Sequence, residues 1–264
     1  MTLRDHMQDH PGATPYRCPT MLTDLLQDGW DRLVSVQPDP APWVVVATAV
    51  GAGVLVTTPA AWSVSRHVLT LVHEGAHGVA ALLTGRQLAG IRLHSDTSGL
   101  TVSRGRPTGA GMVVTTVAGY VGPALVGLGA AWLLSTGRAV AVLWALLALL
   151  ALLLVQIRNW FGLWSVLVSS VVVLAASWWL TAEARSAFAY LVTWFLLLAA
   201  PRPVLELRVA RRRRRSRDSD ADQLARLTHL PAALWVLLFL AVTVIALLLG
   251  VALLLPDQLL DRAG

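Results

Sequence analysis

Two histidines four residues apart with a glutamate beside the first, His73-Glu74-Gly75-Ala76-His77, carry the strongest chemical signal in the chain. On a helix, positions i and i+4 share a face, so the two imidazoles can grip a single Zn²⁺. Glu74 follows the first of them directly and is placed to take a proton from a water at the metal. The surrounding stretch is apolar enough to cross a bilayer, where a carboxylate and two imidazoles are costly to bury without a function. A catalytic zinc normally takes three protein ligands and keeps one position open. The pentapeptide supplies two of them, so a third must come from elsewhere in the chain.

The elements that position these residues are read from composition. Hydrophobic residues make up 56 % of the chain and charged residues 14 %, against roughly 45–50 % and 25 % in soluble domains. The uncharged intervals Asp39 to Arg66, Arg106 to Arg138, Arg158 to Glu183 and Arg226 to Asp257 each exceed the ~20 residues needed to span hydrocarbon. The expected fold is therefore an all-α polytopic membrane protein. A soluble bundle is excluded because its helices would carry a charged face.

Six to seven spans are expected, at roughly 41–62, 66–84, 109–134, 139–156, 160–181, 187–200 and 230–255, within a single transmembrane domain over 41–255. Residues 1–40 form a polar N-terminal segment in which Met21, Leu22, Leu25, Leu26, Trp30 and Leu33 recur at the spacing of a surface helix. Residues 256–264 form a short tail. With seven spans, Arg4, Arg17, Arg32, Arg86, Arg92, Arg104, Arg106, Arg158 and the arginines between 202 and 226 share one side, leaving Arg66, Arg138, Arg185 and Arg262 on the other. The positive-inside rule then puts the N-terminus and the zinc motif on the cytoplasmic side. Between the second and third spans, Leu88 to Leu93 and Leu100 to Arg104 alternate around a turn rich in Ser, Asp and Gly, which predicts a β-hairpin over 86–106. Its exposed edge could bind an extended peptide.

All 21 basic residues are arginine. The run around Arg208 to Arg217 is a topology signal that can meet anionic lipid headgroups. It lacks the interleaved aromatics of a nucleic-acid surface, so no nucleic-acid partner is expected. The lone Cys18 excludes an internal disulfide and a C-x-x-C metal or redox pair.

Three segments together resemble the site-2 protease family of intramembrane zinc metallopeptidases, and within it the compact bacterial branch of actinobacterial type. They are Leu71 to Gly85 with the hairpin that follows, Ala118-Gly119-Tyr120-Val121-Gly122-Pro123-Ala124, and Ser219-Asp220-Ala221-Asp222-Gln223-Leu224. The likeness covers roughly residues 60–255. It implies zinc-dependent cleavage of a membrane-anchored protein, such as an anti-sigma factor or a signal-peptide remnant, in a bacterial plasma membrane.

The wider family takes its third ligand from the Asp of an L-D-G motif that follows an Asn. Here Arg158-Asn159-Trp160-Phe161-Gly162 occupies the comparable position with Asn159 but no Asp after it. Asp220 is the favoured replacement, since it has the right chemistry and stands on the motif's side just before the last span. Asp222 and Asp96 are the alternatives, with His94 near the latter. Asn159 is a weak zinc ligand and a better partner for a substrate carbonyl or developing oxyanion. Two other classes compete with a protease: a catalytically inactive scaffold on the same fold, and a metal or proton transporter using the His/Glu cluster.

Overall fold

The computed structural model describes residues 36–213 and 218–255, with Gln27 besides. Apart from Gln27, the surface helix expected near Met21 to Leu33 lies outside the described residues, as do the tail and Arg214, Arg215 and Arg217.

Helix α1 (Pro42–Thr57) and helix α2 (Pro59–Leu83) come first. The hairpin follows, with strands β1 (Gln87–Leu93) and β2 (Gly99–Arg104), and then α3 (Ala110–Ser135), α4 (Ala139–Gln156) and α5 (Trp160–Trp179). Helices α6 (Ala182–Ala199), α7 (Pro201–Arg212), α8 (Asp220–Thr228) and α9 (Ala232–Leu254) complete the described chain. The all-helical membrane architecture with one small hairpin is the one expected. Five helical stretches are long and apolar enough to cross a membrane, or six if α1 and α2 count as one broken span. The protein is a multi-pass membrane protein.

The break between α1 and α2 has a local cause. A residue before proline is pushed out of the α region, and Thr58, ahead of Pro59, is extended at φ −76°, ψ 122°. Pro59 then opens α2, where its missing N–H has no cost. The two helices bend by 98° at this point. With 16 residues, α1 is about 24 Å long, short of the ~30 Å hydrocarbon core. The sequence reading divided this region into two spans near Arg66; the elbow lies earlier, at Thr58.

Gln37 N–H donates to the Gly137 carbonyl (2.8 Å), and Val140 N–H donates to Gln37 Oε1 (3.1 Å). The segment before α1 and the α3–α4 turn therefore meet at one end of the bundle. Seven alternating spans set these residues at opposite ends; a broken first span brings them together. Glu206 of α7 makes the same point from another side. It accepts hydrogen bonds from Arg66 Nη2 (3.4 Å), Arg202 Nε (3.2 Å) and Trp62 Nε1 (3.1 Å). The arginine alternation had separated Arg66 from Arg202. The short sixth span expected at 187–200 is instead a long helical stretch, with α6 running on through α7 to Arg212.

Helix α3 is the central element and packs against α2, α6 and α9. Its small residues allow this: Gly127 and Gly250 of α9 both lie against Leu197 of α6. A core of Ala52, Trp62, Ala131, Leu143 and Leu197 fills the middle of the bundle. A second cluster, including Val204, Leu224 and Phe239, joins α7, α8 and α9. A third, with Leu71, Ile91, Leu93, Leu153 and Ile157, seats the hairpin on α2 and on the end of α4.

The hairpin strands are antiparallel, with an irregularity between Leu88 and Gly90. Asp96 closes the turn by accepting from Ser98 N–H (2.9 Å) and Ser98 Oγ (2.6 Å). β1 has a neighbour on its other side too. Ile91 bridges to Ile157 in parallel, and Arg158 N–H donates to the Ile91 carbonyl (2.9 Å). Only β2 keeps a free edge among the described residues.

Candidate metal centre

His73 and His77 stand one helical turn apart on α2, with Nε2 atoms 3.1 Å from one another. Asp220 Oδ2 lies 3.4 Å from His73 Nε2 and 3.3 Å from His77 Nε2. These three residues are the one group of potential metal ligands that converges among the described residues. The spacing can be tested against zinc. Tetrahedral bonds of ~2.0–2.2 Å put neighbouring ligand atoms about 3.3–3.6 Å apart, close to the separations seen here. The donor set of two imidazoles and one carboxylate suits the same ion.

Each ligand is held from behind. His77 is buried (8 % exposed), and its Nδ1 lies 2.7 Å from the Thr115 carbonyl of α3. A carbonyl only accepts, so Nδ1 carries the hydrogen and Nε2 presents its lone pair to the cluster. His73 is held by a ring instead: Tyr120 meets it edge-on, with centroids 5.0 Å apart at 87°. Phe239 of α9 stacks behind Tyr120 at 5.0 Å and 16°.

Asp220 is the first residue of α8. The Ser219 side chain accepts from Asp222 N–H, and Asp222 in turn accepts from Ser219, a reciprocal capping box that fixes the start of the helix. Asp222 also pairs with Arg211 at the end of α7. Burial pushes the Asp220 carboxyl upward, but hydrogen bonds to His73 and His77 outweigh it and hold the group below the ordinary carboxylate range. Burial acts the same way on Asp222, where Arg211 and Ser219 prevail and keep it low.

Glycines make the room. A Cβ on Gly119 would overlap His77 Nε2 and lie 2.7 Å from His73 Nε2. Gly122 likewise lies against the Ala76 side chain. Pro123, four residues on, has no N–H to give to the Gly119 carbonyl, which leaves a polar backbone atom beside the cluster.

The structure thus brings His73, His77 and Asp220 together, with Glu74 flanking them on the same helix. Asp222 sits next to this group but is engaged by Arg211 and Ser219. Asp96 and His94 are exposed in the hairpin turn and do not join it. Both ends of the Asn159 side chain are occupied by β1: Nδ2 donates to the Leu93 carbonyl (2.6 Å), and Oδ1 accepts from Leu93 N–H (3.0 Å). Sequence reasoning passed over Thr115, Tyr120 and Thr101. Thr101 Oγ1 donates to Glu74 Oε2 at 2.6 Å. The inward-facing alternation of β2 through Gly99, Thr101 and Ser103 was the signal available for it.

No curated protein and no solved structure matches the chain. The family model described as peptidase M50B-like matches residues 46–250, well over half of the sequence, and takes in every residue of the cluster. Together with the helical membrane fold and the H-E-x-x-H helix, this bears out the resemblance to the site-2 proteases. The chain belongs to the peptidase M50B-like family of intramembrane metallopeptidases.

Proposed function

We propose that the protein is an intramembrane zinc metalloendopeptidase that cleaves membrane-anchored proteins. The observation that carries this reading is the convergence of His73 Nε2, His77 Nε2 and Asp220 Oδ2 within 3.1–3.4 Å of one another. The family is normally zinc-dependent. Bound by these three residues, zinc supplies Lewis-acid activation of a water and of the scissile carbonyl.

The chain's own residues do the rest. Glu74 accepts the proton of the attacking water as the C–O bond forms, then returns it to the amide nitrogen as the C–N bond breaks. Buried at 5 % exposure, its carboxylate is held in one place beside the cluster, as a general base must be. The inward face of β2 lies against Glu74, and the free edge of the same strand is suited to hold an unwound stretch of substrate by strand addition. Unwinding is required because a helix hides its own peptide bonds. Asn159, read from sequence as a partner for the substrate carbonyl, has the role here of fixing β1 in register through Leu93.

We place the metal centre on the cytoplasmic side of a bacterial plasma membrane. Arg86, Arg92, Arg104, Arg106, Arg158, Arg202, Arg208, Arg211 to Arg213 and Arg226 belong to the hairpin, to Arg158 beside it, and to α7 and α8 at the motif's end of the bundle. Arg138 and Arg185 belong to the other end, with Gln37. The positive-inside rule favours this orientation. With six crossings it puts Val36 to Pro40 outside, where seven crossings had put them inside. The basic α7 would rest among anionic headgroups.

The test is cleavage of a transmembrane reporter by detergent-purified protein. Wild type cleaves; Glu74→Gln keeps its zinc and does not. Cleavage by Glu74→Gln at the wild-type rate overturns the mechanism.

A further inference from the structure

The hairpin does more than offer an edge. Glu74 is a buried acid, and among the described residues its side chain has a single hydrogen-bond donor, the Thr101 hydroxyl on β2. The same hydroxyl lies 3.1 Å from the Glu74 carbonyl oxygen, so it sits against the backbone of the residue whose carboxylate accepts its hydrogen bond at the shorter distance. Gly99, two positions earlier on the same face of β2, lies so close that a Cβ there would overlap Glu74 Oε1 and come within 2.5–2.6 Å of Cγ and Cδ. Oε2 is held by Thr101; Oε1, which meets no donor among the described residues, is confined against Gly99. From the helix side, Thr70 Oγ1 lies 3.2 Å from the Thr97 carbonyl and 3.1 Å from the Arg66 carbonyl of its own helix, so the hairpin turn rests against α2 at this hydroxyl.

We infer that Thr101 is a positioning residue for Glu74, and that β2 sets the carboxylate with Oε1 as its proton-accepting oxygen. This deepens the protease reading and rests on it. The physical reason is geometric. A glutamate has three side-chain torsions and would sample several rotamers without such restraint. A hydroxyl donating to one oxygen, with a glycine backbone packed against the other, leaves one arrangement. General-base catalysis needs the acceptor within ~2.6–3.2 Å of its proton, and misplacement by about 1 Å can cost about 100-fold in rate. The strand with the free edge is also the strand that orients the base, so a peptide pairing with β2 is registered against Glu74 itself.

Thr101→Val keeps the shape and removes the donor; Thr101→Ser keeps the donor. Full-length protein in detergent is measured for bound zinc, for thermal unfolding, and for kcat and KM on the transmembrane reporter. The expected result for Thr101→Val is full zinc, KM within about twofold of wild type, and kcat lower by about 10- to 100-fold; Thr101→Ser restores kcat to within about threefold. Gly99→Ala, which displaces Oε1 instead, lowers kcat with zinc retained and serves if the valine variant does not fold. Wild-type kcat in folded Thr101→Val, or in Gly99→Ala should the valine variant not fold, overturns the inference while leaving the protease reading standing, as does a Thr101→Ser variant as slow as the valine one. Zinc-loaded wild type that cleaves nothing removes the protease reading, and the inference with it.

Discussion

Asp220 Oδ2 lies 3.3 Å from His77 Nε2, although the two residues come from α8 and α2, with the whole of α3 to α7 between them in the chain. Asp220 reaches that position through the capping box of α8 and the pairing of Asp222 with Arg211.

Gly119 of α3 lies against both imidazoles, where an added Cβ would overlap His77 Nε2. Gly119→Ala is expected to weaken zinc binding by at least about tenfold, in the range seen when the support of a metal ligand is disturbed. Competition with a chelator of known affinity measures this. An unchanged zinc affinity in the folded variant would mean that α2 and α3 can move apart freely.

Tyr120 supports His73 through its ring. Tyr120→Phe keeps the edge-on contact and should bind zinc within about twofold of wild type, while Tyr120→Leu should bind several-fold more weakly. Equal loss in both variants would point to the phenol hydroxyl instead. The zinc titration distinguishes the two cases.

Asp222 has its folded-state pKa lowered below the ordinary 3.8 by Arg211 and Ser219, against the upward push of burial. A depressed carboxylate stabilises the fold above its unfolded pKa and loses that contribution as pH falls through the folded one. Asp222→Asn should therefore unfold at lower temperature than wild type at pH 7, with the gap closing as pH falls below about 4. Melting curves across that range check it, and a gap that widens toward acid contradicts the pairing.

Six crossings put Gln37 and Gly137 at one end and Asp96 at the other. Single cysteines at Gln37, Gly137 and Asp96, with Cys18 replaced, can be probed with a membrane-impermeant thiol reagent on intact cells. Positions 37 and 137 should label alike, and position 96 only after lysis. Opposite labelling of 37 and 137 would restore the seven-span alternation.

Much of the candidate centre is legible in the sequence because it is local. Spacing alone puts His73, Glu74 and His77 on one helix, and the apolar intervals give the membrane class. Asp220 was reachable by chemistry and side, but Asp222 was equally acidic. What separates them is the capping box, which turns Asp222 back onto Ser219 and Arg211 while Asp220 faces the imidazoles. Thr115 and Tyr120 act through packing between distant segments, and nothing in their own neighbourhoods announces it; for Thr101 the alternation of β2 marks an inward face but not its partner. Asn159 shows the converse: its residue type suggested a substrate contact, while the parallel approach of Ile157 to β1 gave its amide a backbone partner. The six-span count lies within the range expected, but the division of residues 41–84 into two spans misplaced the first break, for a readable reason. Proline at position 59 makes Thr58 a break point, and charge alternation is blind to an elbow that has no charge in it.

The most direct test of the central claim is zinc stoichiometry in full-length protein purified in detergent, comparing wild type with Asp220→Ala and Glu74→Gln. The account predicts about one zinc per chain in wild type and in Glu74→Gln, as expected for one three-ligand site, and a loss of binding by orders of magnitude in Asp220→Ala. Full zinc occupancy in Asp220→Ala at the same free zinc concentration would contradict it.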